Sequence, residues 1–144
     1  MELGNIPMKS GRICLADVLP AFAEFEGDLP VDQRAYVIVR RAEARDDLRR
    51  DEIVRPRLIK YTNPITLMPV EETTEALPGE VMKWEVYWTV QECVNLTING
   101  VPVLTAKPLA SMKVGDFEAV WNTLPLEVSL AIGRAVRVFN RMWS

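Results

Sequence analysis

Three sets of side chains in this 144-residue chain are of types that could do chemistry: the carboxylates Glu71, Glu72 and Glu75, the acid pair Asp46 and Asp47, and the cysteines Cys14 and Cys93. Clustered carboxylates can hold a divalent cation or work as an acid–base pair. The first cluster lies among threonines and lacks the alternating oxygen ligands and the glycine of a calcium loop, so a solvated loop is expected there. Asp46, Asp47, Glu71 and Glu72 are the only clustered candidates for a carboxylate enzyme, and no spacing among them specifies a reaction. Cys14 and Cys93 are far apart, match no metal-ligand spacing and read as reduced core residues. The chain contains no histidine. That removes the commonest general base, the usual Ser–His and Cys–His pairs and the commonest zinc ligand. The expectation is a non-enzymatic protein, with no catalytic residue, metal ligand or cofactor assigned.

Arginine supplies the other conspicuous pattern. Seven arginines lie between Arg40 and Arg57, but five acids are interleaved, leaving +2 for that stretch and −3 for the whole chain. No aromatic platform accompanies them, so a salt-bridged, solvated helix end is expected rather than a nucleic-acid surface. Further on, Arg134, Arg137 and Arg141 recur at i, i+3 and i+7, a basic stripe on the last helix. End-capping and solubility account for it, since cations are favourable near a helix C-terminus.

The elements that must position these groups follow from periodicity. Half the residues are apolar and a quarter charged, which suits one folded domain over 1–144. No run approaches the ~20 apolar residues of a membrane span. MELGNIPMKSGR has no apolar signal-peptide core, so a cytoplasmic location is expected.

Residues 13–56 read as helical. A short helix from Asp17 is closed by Gly27, and a longer one from Val31 to Ile53 carries an apolar face of Val31, Ala35, Ile38 and Ala42, with Asp46 and Arg50 as an i,i+4 pair. Residues 57–80, broken by Pro64, Pro69 and Pro78, read as an irregular connection. Residues 81–105 read as the β-region. There Met82, Trp84, Val86, Trp88 and Val90 alternate with mostly polar neighbours, as in a half-buried strand. Asn99-Gly100 between Val94–Ile98 and Val101–Thr105 is a two-residue hairpin signal that sets Ile98 opposite Val101 and Leu96 opposite Val103. Residues 115–143 read as helical again. A short helix from Asp116 is followed by a longer one with Thr123 as N-cap, Pro125 in its first turn, and an apolar stripe of Val128, Ile132, Ala135, Phe139 and Met142. The fold class expected is α+β: a small antiparallel sheet, strand plus β-hairpin, packed with N-terminal and C-terminal helices.

From about Glu92 onward the order is strand, N-L-T-I-N-G-V-P-V-L hairpin, linker, D-F-x-x-x-W-x-x-L-P, then a helix ending near Asn140. Together with Ile53-Val54-Arg55-Pro56 after an arginine-rich helix, this resembles tail assembly chaperones of long-tailed bacteriophages, over about half the chain. The resemblance implies a non-enzymatic cytosolic protein that binds the tape-measure protein, promotes tail-tube assembly and is absent from the finished virion. It implies protein partners, with no nucleic acid and no membrane, and leaves self-association open. An amphipathic client helix would dock where the hairpin edge meets Trp121, Leu124 and Val128, with Arg134, Arg137 and Arg141 at the margin. The competing reading is a structural virion protein such as a head–tail connector or tail-completion component, assembling by strand addition or symmetric packing.

Overall fold

Tyr36-Val37-Ile38-Val39-Arg40 is an aromatic and β-branched run, the composition that a pleated, half-buried strand favours. In the computed structural model, which describes residues 9–144, it forms β2 (Tyr36–Arg40), the central strand of a three-stranded antiparallel sheet. β1 (Ser10–Cys14) pairs on one side, with Arg12 opposite Ile38. β5 (Val90–Val94) pairs on the other, with Ile38 opposite Glu92 and a bulge between Ile38 and Val39. Val37 and Val39 are fully buried, and Tyr36, Ile38 and Arg40, which alternate with them, are only partly covered.

The expected helix over 31–53 is thus corrected. A 3-10 turn occupies Val31–Gln33, β2 follows, and only α3 (Ala44–Val54) is helical. Val31, Ala35, Ile38 and Ala42 have helical spacing, but Val37 and Val39 satisfy an alternating pattern that sheet pairing on both sides rewards. α3 begins where Glu43 and Asp46 form a reciprocal capping box, the Glu43 N–H donating to Asp46 Oδ2 at 2.8 Å. The N-terminal helix divides into α1 (Leu15–Val18) and α2 (Pro20–Glu26) at an extended Leu19, and Gly27 closes α2 at φ +54°. Of the segment MELGNIPMKSGR, in which no signal-peptide core is expected, the first eight positions lie outside the described residues.

The expected strand over 81–90 is a helix, α4 (Pro78–Thr89), with Pro78 in its first turn. The buried residues of the helix are Val81, Lys83, Glu85, Val86, Tyr87 and Thr89, so one expected apolar position, Val86, is buried together with the polar set, while Met82, Trp84 and Trp88 are only partly covered. Ion pairs make that possible. Lys83 Nζ lies 2.8 Å from both Glu80 and Glu118, and Glu85 is enclosed by arginines. Alternation of polarity therefore misreported alternation of exposure.

The 57–80 connection is not irregular. β3 (Arg57–Thr62) and β4 (Pro69–Thr74) form a two-stranded antiparallel hairpin, with Lys60 opposite Glu71. Pro69 opens its strand, and Pro64 sits in the turn, positions where no ladder N–H is required.

The Asn99-Gly100 hairpin is present. Asn99 and Gly100 have φ of +52° and +76°, and Ile98 stands opposite Val101. Its strands are short, β6 (Thr97–Ile98) and β7 (Val101–Pro102), because Val94 belongs to β5 and pairs with Tyr36. The Val103 N–H still donates to the Leu96 carbonyl at 3.1 Å, as the two-residue loop predicts.

Two C-terminal helices complete the α+β fold, α5 (Val114–Trp121) and α6 (Leu126–Phe139). The N-cap of α6 is Pro125, not Thr123, whose hydroxyl instead donates to the Val120 carbonyl at 2.8 Å. α6 buries Val128, Ile132, Ala135 and Val136 against α1, α4 and the sheet. Met142 lies past the helix end and is 97% exposed, so the apolar stripe stops at Phe139. Asn140 ties that end to the β2–α3 connection, accepting from the Ala42 N–H at 2.8 Å and donating to the Arg40 carbonyl at 3.2 Å.

Candidate interaction surfaces

The residues singled out from the sequence as a docking groove part company in the fold. Trp121 and Val128 are core, and Leu124 is half-buried beside them. Trp121 stacks on Phe117 at 5.8 Å between centroids, and Phe117 meets Tyr87 at 4.8 Å. The Tyr87 hydroxyl donates to the Met112 carbonyl at 2.6 Å. Packing of this kind holds α5 against α4 and places Trp121 in the core.

The three arginines expected as a stripe on the last helix also separate, since Arg134 and Arg137 lie on α6 and Arg141 opens the 3-10 turn Arg141–Trp143 beyond it. Arg137 turns inward, its Nε donating to Glu85 Oε1 at 2.8 Å, while Arg50 Nε from α3 donates to Glu85 Oε2 at 2.7 Å. Glu85 is 0% exposed, so a buried carboxylate on α4 is held by one arginine from each flanking helix. Arg134 and Arg141 stay exposed and have no acidic partner within ion-pair distance among the described residues. With Val18, Arg137, Val138 and Ser144 they line a shallow hollow of about 530 Å³, a basic rim around an apolar floor.

Of the acids considered for chemistry, Asp46, Asp47, Glu71 and Glu72 have structural partners. Asp46 accepts both arms of the Arg40 guanidinium, at 2.7 and 2.8 Å. Burial alone would raise its pKa, but hydrogen bonds from Arg40 and from the Glu43 N–H hold it below the usual carboxylate value. The expected Asp46–Arg50 pair is absent, since each residue has the better partner just described. Asp47 accepts from the Trp143 indole at 3.1 Å. On β4, Glu71 lies 3.7 Å from Lys60, and Glu72 accepts from the Tyr61 hydroxyl at 2.8 Å. Among the described residues no group of three or more metal-ligating side chains converges. Cys14 and Cys93 are free thiols, and Cys93 is pushed up to about 12, first by burial and then by the Glu92 carboxylate. It stays protonated at neutral pH.

The conspicuous surface is one that sequence reading missed, the β3–β4 arm. Every residue of β3 is exposed, and in β4 only Val70 is partly covered. The six-residue turn between the strands carries Ile65 at 89%, Leu67 at 75% and Met68 at 62% exposure. Asn63 shapes it, its side-chain oxygen accepting from the Ile65 and Thr66 N–H groups.

Leu67 has φ +57°, a left-handed conformation that costs a residue with a Cβ roughly 1–2 kcal/mol. Leu104 has a similar φ of +53° but is 3% exposed, so core burial offsets its strain. Leu67 has no core burial to offset it, and its conformation is set by the turn itself, the Leu67 N–H donating to the Asn63 carbonyl at 2.8 Å and the Asn63 N–H to the Met68 carbonyl at 2.9 Å. Apolar residues between Pro64 and Pro69 were the available signal, obscured because two prolines suggested disorder of pattern rather than a turn.

No family model matches this chain, and neither curated proteins nor solved structures give a significant match. Among the described residues, no helix is long and apolar enough to cross a membrane.

Proposed function

We propose that this protein is a non-enzymatic tail assembly chaperone of a long-tailed bacteriophage, acting in the host cytoplasm on the tape-measure protein and promoting tail-tube assembly. The observation that carries a protein-binding role is the arm, and above all Leu67 at its tip. A strained leucine held in solvent lowers the stability of the isolated chain, and strain of this kind is retained where function uses it. Burial of Ile65, Leu67 and Met68 in a partner would contribute roughly 1.5–3 kcal/mol per side chain. The unpaired outer edges of β3 and β4 add backbone donors and acceptors to which an extended segment can hydrogen-bond. The identity of the client comes from the resemblance of the hairpin and the D-F-x-x-x-W-x-x-L-P segment.

The test places a photo-crosslinking amino acid at Ile65, in cells producing the phage tail proteins, and identifies adducts by mass spectrometry. Adducts with the tape-measure or tail-tube protein are the expected result, together with absence of the chain from purified particles. Adducts only with head or connector proteins, and retention in particles, would make it a structural virion component instead. In parallel, Leu67→Asn should raise the stability of the free protein while lowering adduct yield, because asparagine tolerates the left-handed conformation and offers no apolar surface.

A further inference from the structure

Of the five asparagines among the described residues, Asn99 alone is followed by glycine. That pairing has covalent as well as conformational consequences. A backbone nitrogen can attack the side-chain carbonyl of the asparagine before it when the nitrogen carries a hydrogen and little bulk surrounds it. The other four asparagines are each hindered. Asn63 precedes Pro64, whose nitrogen has no hydrogen to give up. The Thr123 N–H that follows Asn122 donates to the Val120 carbonyl at 3.1 Å. The Asn95 side-chain amide donates to the Asp32 and Arg34 carbonyls at 3.1 and 3.2 Å. Asn140 is buried, with both atoms of its amide hydrogen-bonded. Asn99 and Gly100 are exposed, and neither the Asn99 side chain nor the Gly100 N–H meets a hydrogen-bond partner among the described residues.

We infer that Asn99 is a self-modification site, deamidating through a ring closed by the Gly100 nitrogen. The turn allows the motion required. Types I′ and II′ share a positive φ at their first central residue and differ by a flip of the peptide that joins the central pair. Gly100 accepts either sign of φ, and no heavy atom stands within 4 Å of where its Cβ would be. The Asn99–Gly100 peptide can therefore turn its nitrogen to the side chain while the strands stay paired. The Gly100 nitrogen bonds to Asn99 Cγ and gives up its proton, and the Cγ–Nδ2 bond breaks to release ammonia. Water then opens the five-membered imide, so the net change is water consumed and ammonia released, with no oxidant or cofactor. Opening at the side-chain carbonyl leaves an aspartyl residue. Opening at the main-chain carbonyl leaves an isoaspartyl residue, which routes the backbone through its side chain and lengthens it by one methylene. A two-residue loop cannot take up that extra atom and keep its register. Ile98 then loses its place opposite Val101, and the Val103 N–H loses the Leu96 carbonyl. Leu96 and Leu104 are 5% and 3% exposed, so the change reaches the core through them. Either product also adds one negative charge to a chain of net −3.

The test holds the purified full chain at mildly alkaline pH in heavy-oxygen water and maps the incorporated label by peptide mass spectrometry. Label at Asn99 should appear at least roughly tenfold faster than at Asn63, Asn95, Asn122 or Asn140, with isoaspartate detected there by isoaspartyl methyltransferase. Asn99→Gly is the control, because glycine keeps the positive φ of the turn and has no side chain to cyclise. It should match the circular dichroism and urea midpoint of fresh wild type. On ageing, the wild-type midpoint should fall as isoaspartate accumulates, while that of Asn99→Gly stays constant. Label entering Asn99 no faster than the other asparagines, or an aged wild type that loses no more stability than Asn99→Gly, would each overturn the inference.

Discussion

Charge reversal at Arg137 should strongly destabilise this protein, whereas the same change at Arg134 or Arg141 should leave its stability almost untouched. Three arginines that look equivalent in the sequence differ because only Arg137 holds Glu85. That carboxylate is fully buried and receives two charge-assisted hydrogen bonds, at 2.7 Å from Arg50 and 2.8 Å from Arg137. Such a bond contributes about 1.5–3 kcal/mol, and stripping a buried charge of its partners costs about 3–5 kcal/mol. The arginine side chains are 22% and 27% exposed and can recover some hydration, which favours the lower end of that range. Glu85→Ala should therefore lose about 3 kcal/mol.

Arg137→Ala should lose less, about 1.5–3 kcal/mol, since Arg50 still faces the carboxylate. Arg137→Glu should lose more than either, because it removes a donor and places a second carboxylate against the first. Against a total of about 5–15 kcal/mol for a domain of this kind, that is the difference between a folded and a marginal protein. Urea denaturation at pH 7 reads it directly. With a slope of about 2 kcal/mol/M, the Glu85→Ala midpoint should fall by roughly 1.5 M. Arg134→Glu and Arg141→Glu should stay within about 0.5 kcal/mol of wild type. If Arg137→Glu proved as mild as Arg134→Glu, the buried network would not be holding α3, α4 and α6 together.

Gly133→Ala should destabilise despite the ~1 kcal/mol that alanine contributes to a helix interior. Its Cβ would collide with the Met82 side chain, overpacking the α4–α6 contact by about 1–3 kcal/mol, and adding Met82→Ala should recover the loss in the same denaturation assay. Gly100→Val should cost more than ~1 kcal/mol through backbone strain alone, since no atom lies within 4 Å of the new Cβ; an unchanged midpoint would remove the left-handed turn. Asp46 has a folded pKa below its unfolded value, so its contribution is present above about pH 3.9 and is lost as pH falls through the lower folded value. Asp46→Asn should accordingly be less stable at pH 7 and lose less stability on acidification, as measured by urea midpoints between pH 7 and pH 2.

The elements legible in the sequence were those whose signal is local. Asn99-Gly100 demands positive φ wherever the chain goes, and Ile98 stands opposite Val101 because a two-residue loop permits no other register. Val128, Ile132 and Ala135 repeat at helical spacing on a helix with one buried face, so α6 was readable to within a turn at each end. The α+β class followed from these two signals. What misled was burial that does not follow polarity. α4 is covered on most sides, and its Lys83 and Glu85 are buried only because Glu118, Arg50 and Arg137 arrive from elsewhere in the chain. A period-2 pattern cannot distinguish such a helix from a strand.

β2 was hidden for the converse reason. Its partners β1 and β5 lie far away in sequence, and only their pairing makes Val37 and Val39 a sheet interior. The site candidates divide along the same line. Trp121, Leu124 and Val128 carry the residue types of an interface, but whether an apolar face meets solvent or α4 depends on what packs over it. The residue types of the stripe Arg134, Arg137 and Arg141 were plain in the sequence; that Arg137 is a structural counterion, while its two companions meet no acid among the described residues, was decided by the position of Glu85. Composition fixes which groups can pair, and long-range packing alone decides which of them do.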